Sequence, residues 1–165
     1  MTIKDEFLIH PFPAIFDKNS KILILGSFPS VVSRKQSFYY ANPTNRFWRI
    51  LEEVFHTKID NKKQFCIGHQ IALWDIIYSC KIHGSSDASI RDVTANDIQG
   101  LVNQTSIHTI FTTGLKASNL YEKYVTCNQE HIDLPSTSAA NARMCMNELV
   151  KTYQIILEKL DETKN

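Results

Sequence analysis

The chain has 165 residues, of which 43% are hydrophobic and 21% charged, as in an ordinary soluble globular protein of one domain. Its formal net charge of +1 leaves nucleic-acid binding to a local basic patch, for which Arg34, Lys35, Arg46 and Arg49 are the candidates. No apolar run is long enough to span a bilayer and Met1-Thr2-Ile3-Lys4-Asp5-Glu6 opens no secretory signal, so a cytoplasmic location is expected.

A Pro11-Phe12-Pro13 arm precedes the first predicted strand, Lys21-Ile22-Leu23-Ile24-Leu25, whose continuous apolar run predicts burial on both faces. The strand closes in the turn Gly26-Ser27-Phe28-Pro29. Nine residues after Pro29 comes Phe38-Tyr39-Tyr40-Ala41-Asn42-Pro43-Thr44-Asn45-Arg46-Phe47-Trp48. Phe47, Ile50, Leu51, Val54 and Phe55 then fall on one helical face, which predicts an amphipathic helix starting near Asn45. Residues 64–68 and 71–74 give weaker signals. Thr94-Ala95-Asn96-Asp97 has the spacing of a capping box with Asp in place of Glu, and with Ile98, Leu101 and Val102 it predicts a helix from about Thr94.

Residues 107–113 alternate as a strand and stop at Gly114, after which Ala117, Leu120, Tyr121 and Tyr124 mark another helix. A last strand is expected before Leu134, although residues 127–133 are polar. From Ala139 onward, Met146, Leu149, Val150, Tyr153, Leu157 and Leu160 form the stripe of a long terminal helix. Alternating strands and helices predict an α/β sandwich with a mostly parallel sheet. Ligands of such sheets bind outside the carboxyl ends of the strands. The loops at residues 26–44, at Gly114 and at residues 134–138 would meet at that edge.

Two aromatics, two amides and an arginine ahead of a helix supply rings and edge-reading groups for a flat heterocycle. Tyr39 and Tyr40 are a stacking platform or core residues; Asn42 and Asn45 are pocket amides or turn and cap residues. Gly26 would let backbone approach a ligand closely. Ser136, Thr137 and Ser138 are helix caps or, with exposed helix N–H groups, a phosphate site. His10, His56, His69, His83, His108 and His131 lack metal spacing and most are assigned to structure, as are the carboxylates Asp75 and Asp87. Cys66, Cys80, Cys127 and Cys145 lack Cys-x-x-Cys spacing and read as buried or bystander thiols rather than a zinc or iron–sulfur site.

Together these motifs resemble the uracil-DNA glycosylase superfamily, and within it the hypoxanthine-DNA glycosylase branch. Tyr39-Tyr40-Ala41-Asn42-Pro43-Thr44-Asn45-Arg46-Phe47-Trp48 is similar to the Tyr-Tyr-Ala/Gly-His-Pro-x-Asn-x-Phe-Trp run of that branch. Ile71-Ala72-Leu73-Trp74-Asp75, Cys80 and Gly84-Ser85-Ser86-Asp87-Ala88-Ser89-Ile90 resemble its middle segment. Thr113-Gly114-Leu115-Lys116-Ala117 resembles the superfamily's glycine turn into a helix, and Leu134-Pro135-Ser136-Thr137-Ser138-Ala139-Ala140-Asn141 its DNA-intercalating loop. Phe28 stands where many members carry the asparagine or aspartate that handles water, as it does in the branch. Leu134 replaces a histidine or asparagine, and Asn42 the branch's histidine.

The resemblance implies a three-layer α/β/α sandwich around a mostly parallel four-stranded sheet, and a monomeric enzyme that needs no metal or cofactor. It would flip a deaminated base, hypoxanthine first, out of DNA and hydrolyse its N-glycosidic bond. Asn45 and Asn42 would be catalytic, Gly26, Ser27, Phe28 and Tyr40 would hold the base, and Arg46, Ser136, Thr137 and Ser138 would hold DNA. A mismatch-type uracil glycosylase and a catalytically silent DNA-binding homologue are the alternatives. A nucleotide-binding protein is disfavoured, since no Gly-x-Gly-x-x-Gly or Walker-type lysine loop is present.

Overall fold

The computed structural model describes residues 5–83 and 87–162; Met1 to Lys4 and Gly84, Ser85 and Ser86 of the middle segment lie outside them. The elements follow the order β1 (Asp5–Ile9), β2 (Ile22–Gly26), α1 (Val31–Gln36), α2 (Phe47–Phe55), α3 (Lys62–Gly68), β3 (Ile71–Asp75) and β4 (Ile77–His83). After these come β5 (Arg91–Ala95), α4 (Ile98–Val102), β6 (Thr109–Thr113), α5 (Leu115–Tyr124), β7 (Glu130–Leu134), α6 (Met146–Tyr153) and α7 (Ile155–Asp161).

Four strands form an all-parallel sheet in the order β3-β2-β6-β7. Every residue of β2 is buried, because alternation sends Ile22 and Ile24 to one face and Leu23 and Leu25 to the other, and both faces are covered. On the first face Phe47, Ile50, Leu51 and Val54 of α2 pack with Leu149 and Tyr153 of α6 and Ile156 of α7. On the second, Ile98, Leu101 and Val102 of α4 pack with Ala117, Leu120 and Tyr121 of α5. The result is a three-layer α/β/α sandwich around a parallel four-stranded sheet.

Four features depart from the sequence reading. A second sheet, antiparallel and ordered β1-β4-β5, is present. Only Ile76 separates β3 from β4, so the chain passes directly from one sheet into the other. The stretch expected to open a helix at Thr94 is instead the end of β5, since Thr94 pairs with Ser79; α4 starts at Ile98, where the Asp97 carboxylate accepts from the Gly100 amide. Cross-strand pairing there outweighs a local capping signal.

The terminal helix starts at Met146, seven residues later than expected, capped by Cys145 with Glu148, and it is interrupted at Gln154. Among the described residues no helix is long and apolar enough to cross a membrane.

Candidate active site

Gly26 ends β2 in register with Asp75, the last residue of β3. A Cβ at Gly26 would lie 2.5 Å from Asp75 Oδ1, so the close approach of the carboxylate requires glycine. The Gly26 and Ser27 carbonyls accept from the Ile76 and Ile77 amides at 2.9 and 3.1 Å, and the Asn96 amide group donates to the carbonyls of Asp75 and Ile77. The floor of the site is thereby fixed by backbone.

Above this floor is a cavity of about 180 Å³, lined by residues 26–30, Ser33, Tyr39, Tyr40, Asn42, Thr44, Asn45, Asp75, Thr113 and residues 136–139. A dry cavity of roughly 150 Å³ holds benzene, so a flat heterocycle fits a space of this size. The loops at the carboxyl ends of β2, β3, β6 and β7 converge here, as expected for an open parallel sheet. Gly114 has φ +92°, where non-glycine residues are strained, and a Cβ there would meet the Ser136 side chain at 3.2 Å. Its amide donates to the Leu134 carbonyl, tying the ends of β6 and β7 together.

Asn45 does not cap α2 from outside the site; it lines the cavity. Its Oδ1 accepts from the Phe47 amide at 2.9 Å and from the Thr137 hydroxyl at 2.8 Å. A backbone N–H can only donate, so this end of the side chain is the oxygen and the NH₂ is the other end. Among the described residues that NH₂ has no hydrogen-bond partner. Asn42 differs: its Oδ1 accepts from the amide and hydroxyl of Thr44, so it forms a turn at the cavity rim.

Tyr40 adopts the left-handed region at φ +52°. Its ring stacks on Phe47, with centroids 3.8 Å apart and planes 17° apart, and its hydroxyl lies 3.1 Å from Thr113 Oγ1. Burial, reinforced by the Asp75 charge, pushes its phenol well above the usual range, so it stays protonated. One face of Tyr40 is thus already covered by Phe47. Phe28 lines the cavity as well, with the His10 ring edge-on at 6.0 Å and the Arg34 guanidinium 5.8 Å from its centroid.

Arg46 and the loop after β7 are bonded to each other. The Arg46 guanidinium donates to the carbonyls of Thr137, Ser138, Asn141 and Met144, so it organises this loop from within rather than reaching out to phosphate. Thr137 is 2% exposed and its hydroxyl is committed to Asn45. Because the next helix begins only at Met146, neither Ser136 nor Ser138 caps it; Ser136 lies beside Gly114 at the start of α5. Instead Ser136 Oγ accepts from the Ser138 amide, Ser138 Oγ from the Ala140 amide, and Asn141 Nδ2 donates to the Ser136 carbonyl.

The model of the uracil DNA glycosylase superfamily matches residues 13–160. The chain belongs to the uracil-DNA glycosylase superfamily. A "Hypoxanthine DNA glycosylase" of Methanosarcina acetivorans is 36% identical over 142 residues, 82% of this chain and 90% of that protein. One of the same name from Methanosarcina barkeri is 33% identical, over 80% of this chain and 87% of its own length. The solution NMR structure of a candidate uracil DNA glycosylase from Methanosarcina acetivorans superposes with a TM-score of 0.79 at 31% identity, covering 94% of this chain and all of that one.

In this glycosylase superfamily member, Leu134 is a core residue beneath the loop, 3% exposed, and offers the cavity no polar group. Sequence reasoning had assigned His10 and Asp75 to structure, yet they meet at the cavity floor, with Nε2 and Oδ2 2.7 Å apart. The end position of Asp75 on a strand beside Gly26 was the available signal for it. His10 lies 65 residues away along the chain and carried none. Among the described residues no group of three metal-ligating side chains occurs.

Proposed function

We propose that this protein is a DNA glycosylase that hydrolyses the N-glycosidic bond of deoxyinosine, releasing hypoxanthine. The observation that carries this reading is Asn45: a carboxamide anchored through its oxygen at two points, its NH₂ unpaired, in a cavity with aromatic walls. The names of the two Methanosarcina relatives point to the same base.

Breaking the bond between C1′ and a purine nitrogen sends the electron pair to the base and builds oxocarbenium character on the sugar. A preorganised N–H donor lowers the cost of the first charge or orients the water that captures the second. Asn45 does this without titrating, which suits a site where Phe28 replaces the polar residue of other members. Tyr40 and Phe28 stack on the extruded base and exclude solvent, Gly26 and Ser27 border its edge, and the loop carrying Ser136 and Ser138 faces the space vacated in the duplex. Asn42 shapes the rim through its turn. A deaminated base pairs poorly, so extruding it costs less than extruding a normal one.

Incubation with a duplex holding one deoxyinosine should yield free hypoxanthine and an alkali-labile site, in the presence of EDTA. Tight binding with no released base would favour the silent homologue, and uracil release exceeding hypoxanthine release would favour the mismatch-type enzyme.

A further inference from the structure

His10 Nδ1 lies 2.8 Å from the Phe12 carbonyl oxygen, which can only accept, so Nδ1 carries a proton. With Nδ1 protonated, a neutral ring would turn a bare Nε2 lone pair toward Asp75 Oδ2 at 2.7 Å, leaving two acceptors in contact. The contact therefore needs one more proton, on Nε2 or on Oδ2. Both side chains are almost fully buried, at 3% and 6% exposure, where an unneutralised carboxylate is costly. Only Asp75 of the pair lines the cavity, and among the described residues nothing donates to its Oδ1. A carboxylate oxygen without a protein donor, on a residue that lines a base-sized cavity, is placed to accept from a ligand.

We propose that His10 and Asp75 share one proton and that this neutral pair selects a base with a protonated ring nitrogen, Asp75 Oδ1 accepting the N1–H of hypoxanthine. This deepens the glycosylase reading and rests on it. Purine bases with an unprotonated N1, such as adenine or unsubstituted purine, turn a lone pair toward the same oxygen and are rejected. His10 acts as the positioning residue. Its proton keeps Asp75 from opposing the negative charge that builds on the departing base, so a carboxylate can read the base edge where an unpaired one would slow its departure.

Other ionisable groups near the pair are Tyr39 and Tyr40 in the loop before α2, and Tyr78 and Asp97, which share with His10 a second cavity on its far side. Burial pushes the phenols of Tyr39 and Tyr40 upward, so both stay protonated beside the pair.

The test compares single-turnover release from duplexes holding deoxyinosine or 2′-deoxynebularine, whose purine lacks both N1–H and O6. Asp75→Asn should narrow the hypoxanthine-over-purine ratio by about tenfold or more, the scale of a hydrogen bond to a charged group. This ratio is insensitive to the fraction of folded enzyme. His10→Gln, whose amide still donates to Asp75, should keep the ratio and slow release. NMR of the wild-type imidazole nitrogens supplies a readout independent of activity: Nδ1 carries a proton, and either Nε2 or the Asp75 carboxyl carries the second. An unchanged ratio in Asp75→Asn would overturn the proposal, as would a neutral His10 with bare Nδ1. A wild type that releases neither base would instead overturn the glycosylase reading, while the NMR spectrum would still decide whether the proton is shared.

Discussion

The hydroxyl of Thr137, a buried residue of the loop after β7, donates to Oδ1 of Asn45 across the cavity mouth at 2.8 Å. The two residues are 92 positions apart and belong to the two motifs that carry the family resemblance. Their bond makes one functional unit of segments that look independent in sequence. Thr137→Val removes the hydroxyl at nearly constant volume, while the Phe47 amide still holds one side of Asn45. Release of hypoxanthine should fall about tenfold with a stability loss near 1 kcal/mol, the net value of one such bond. Duplex affinity should barely change. A single-turnover rate measured beside a binding isotherm checks this, and a loss confined to affinity would return Thr137 to a phosphate-binding role.

Arg46 offers a sharper contrast between organising a loop and holding DNA. Its guanidinium already donates to four backbone carbonyls of residues 137–144. Arg46→Lys keeps the charge but not the fork of donors. It should lower the melting temperature by an amount corresponding to about 1–3 kcal/mol and slow release, with the salt dependence of duplex binding unchanged. A phosphate contact predicts the reverse when the charge is removed: in Arg46→Gln the slope of log affinity against log salt would drop by about 1.

Gly26→Ala places a methyl group 2.5 Å from Asp75 Oδ1. The carboxylate must move, and with it the contact to His10. Release should fall at least tenfold, with a stability loss of about 1–3 kcal/mol, typical of overpacking. Denaturant unfolding and single-turnover kinetics on the same preparation check both parts. Wild-type release from this variant would mean that the Asp75 position is not needed.

Asp133 has its carboxyl held below the ordinary range, first by the hydroxyl of Ser118, then by that of Thr112 and by His131. A depressed folded-state value contributes stability above the unfolded carboxylate range and loses it as pH falls through the folded value. Asp133→Asn should therefore destabilise the protein at pH 7, and the difference from wild type should shrink as pH drops below about 4. The side chain is well exposed, so the effect is small. Paired urea titrations at pH 7 and pH 3 measure it.

The sheet was legible because β2 carries an unbroken apolar run and α2 a clear helical stripe, both patterns imposed by burial. The second sheet was not, since Asp5–Ile9 begins with two charges and remains largely exposed. Asn45 and Tyr40 were legible as residue types in a loop ahead of a helix. Their bonding was not: that Asn42 closes a turn while Asn45 is held by Thr137 depends on a contact between distant segments. The misplaced terminal helix had a direct consequence, because it put a helix N-terminus beside Ser138 where the chain instead makes turns. His10 illustrates the limit, because it joins the site only when β1 pairs with β4 and its own amide bonds to the Tyr78 carbonyl, one short step along the chain from Asp75.

The central claim is that the Asn45 carboxamide drives removal of hypoxanthine. Asn45→Asp tests it directly, because the carboxylate keeps an acceptor for Thr137 and Phe47 but lacks the NH₂ donor. Free hypoxanthine would be quantified by chromatography after single-turnover incubation of wild type and variant with a deoxyinosine duplex and EDTA. The account predicts prompt release by the wild type and a rate lower by about 10²-fold in the variant, with duplex binding retained. Equal rates in the two proteins, or no hypoxanthine from the wild type, would contradict it.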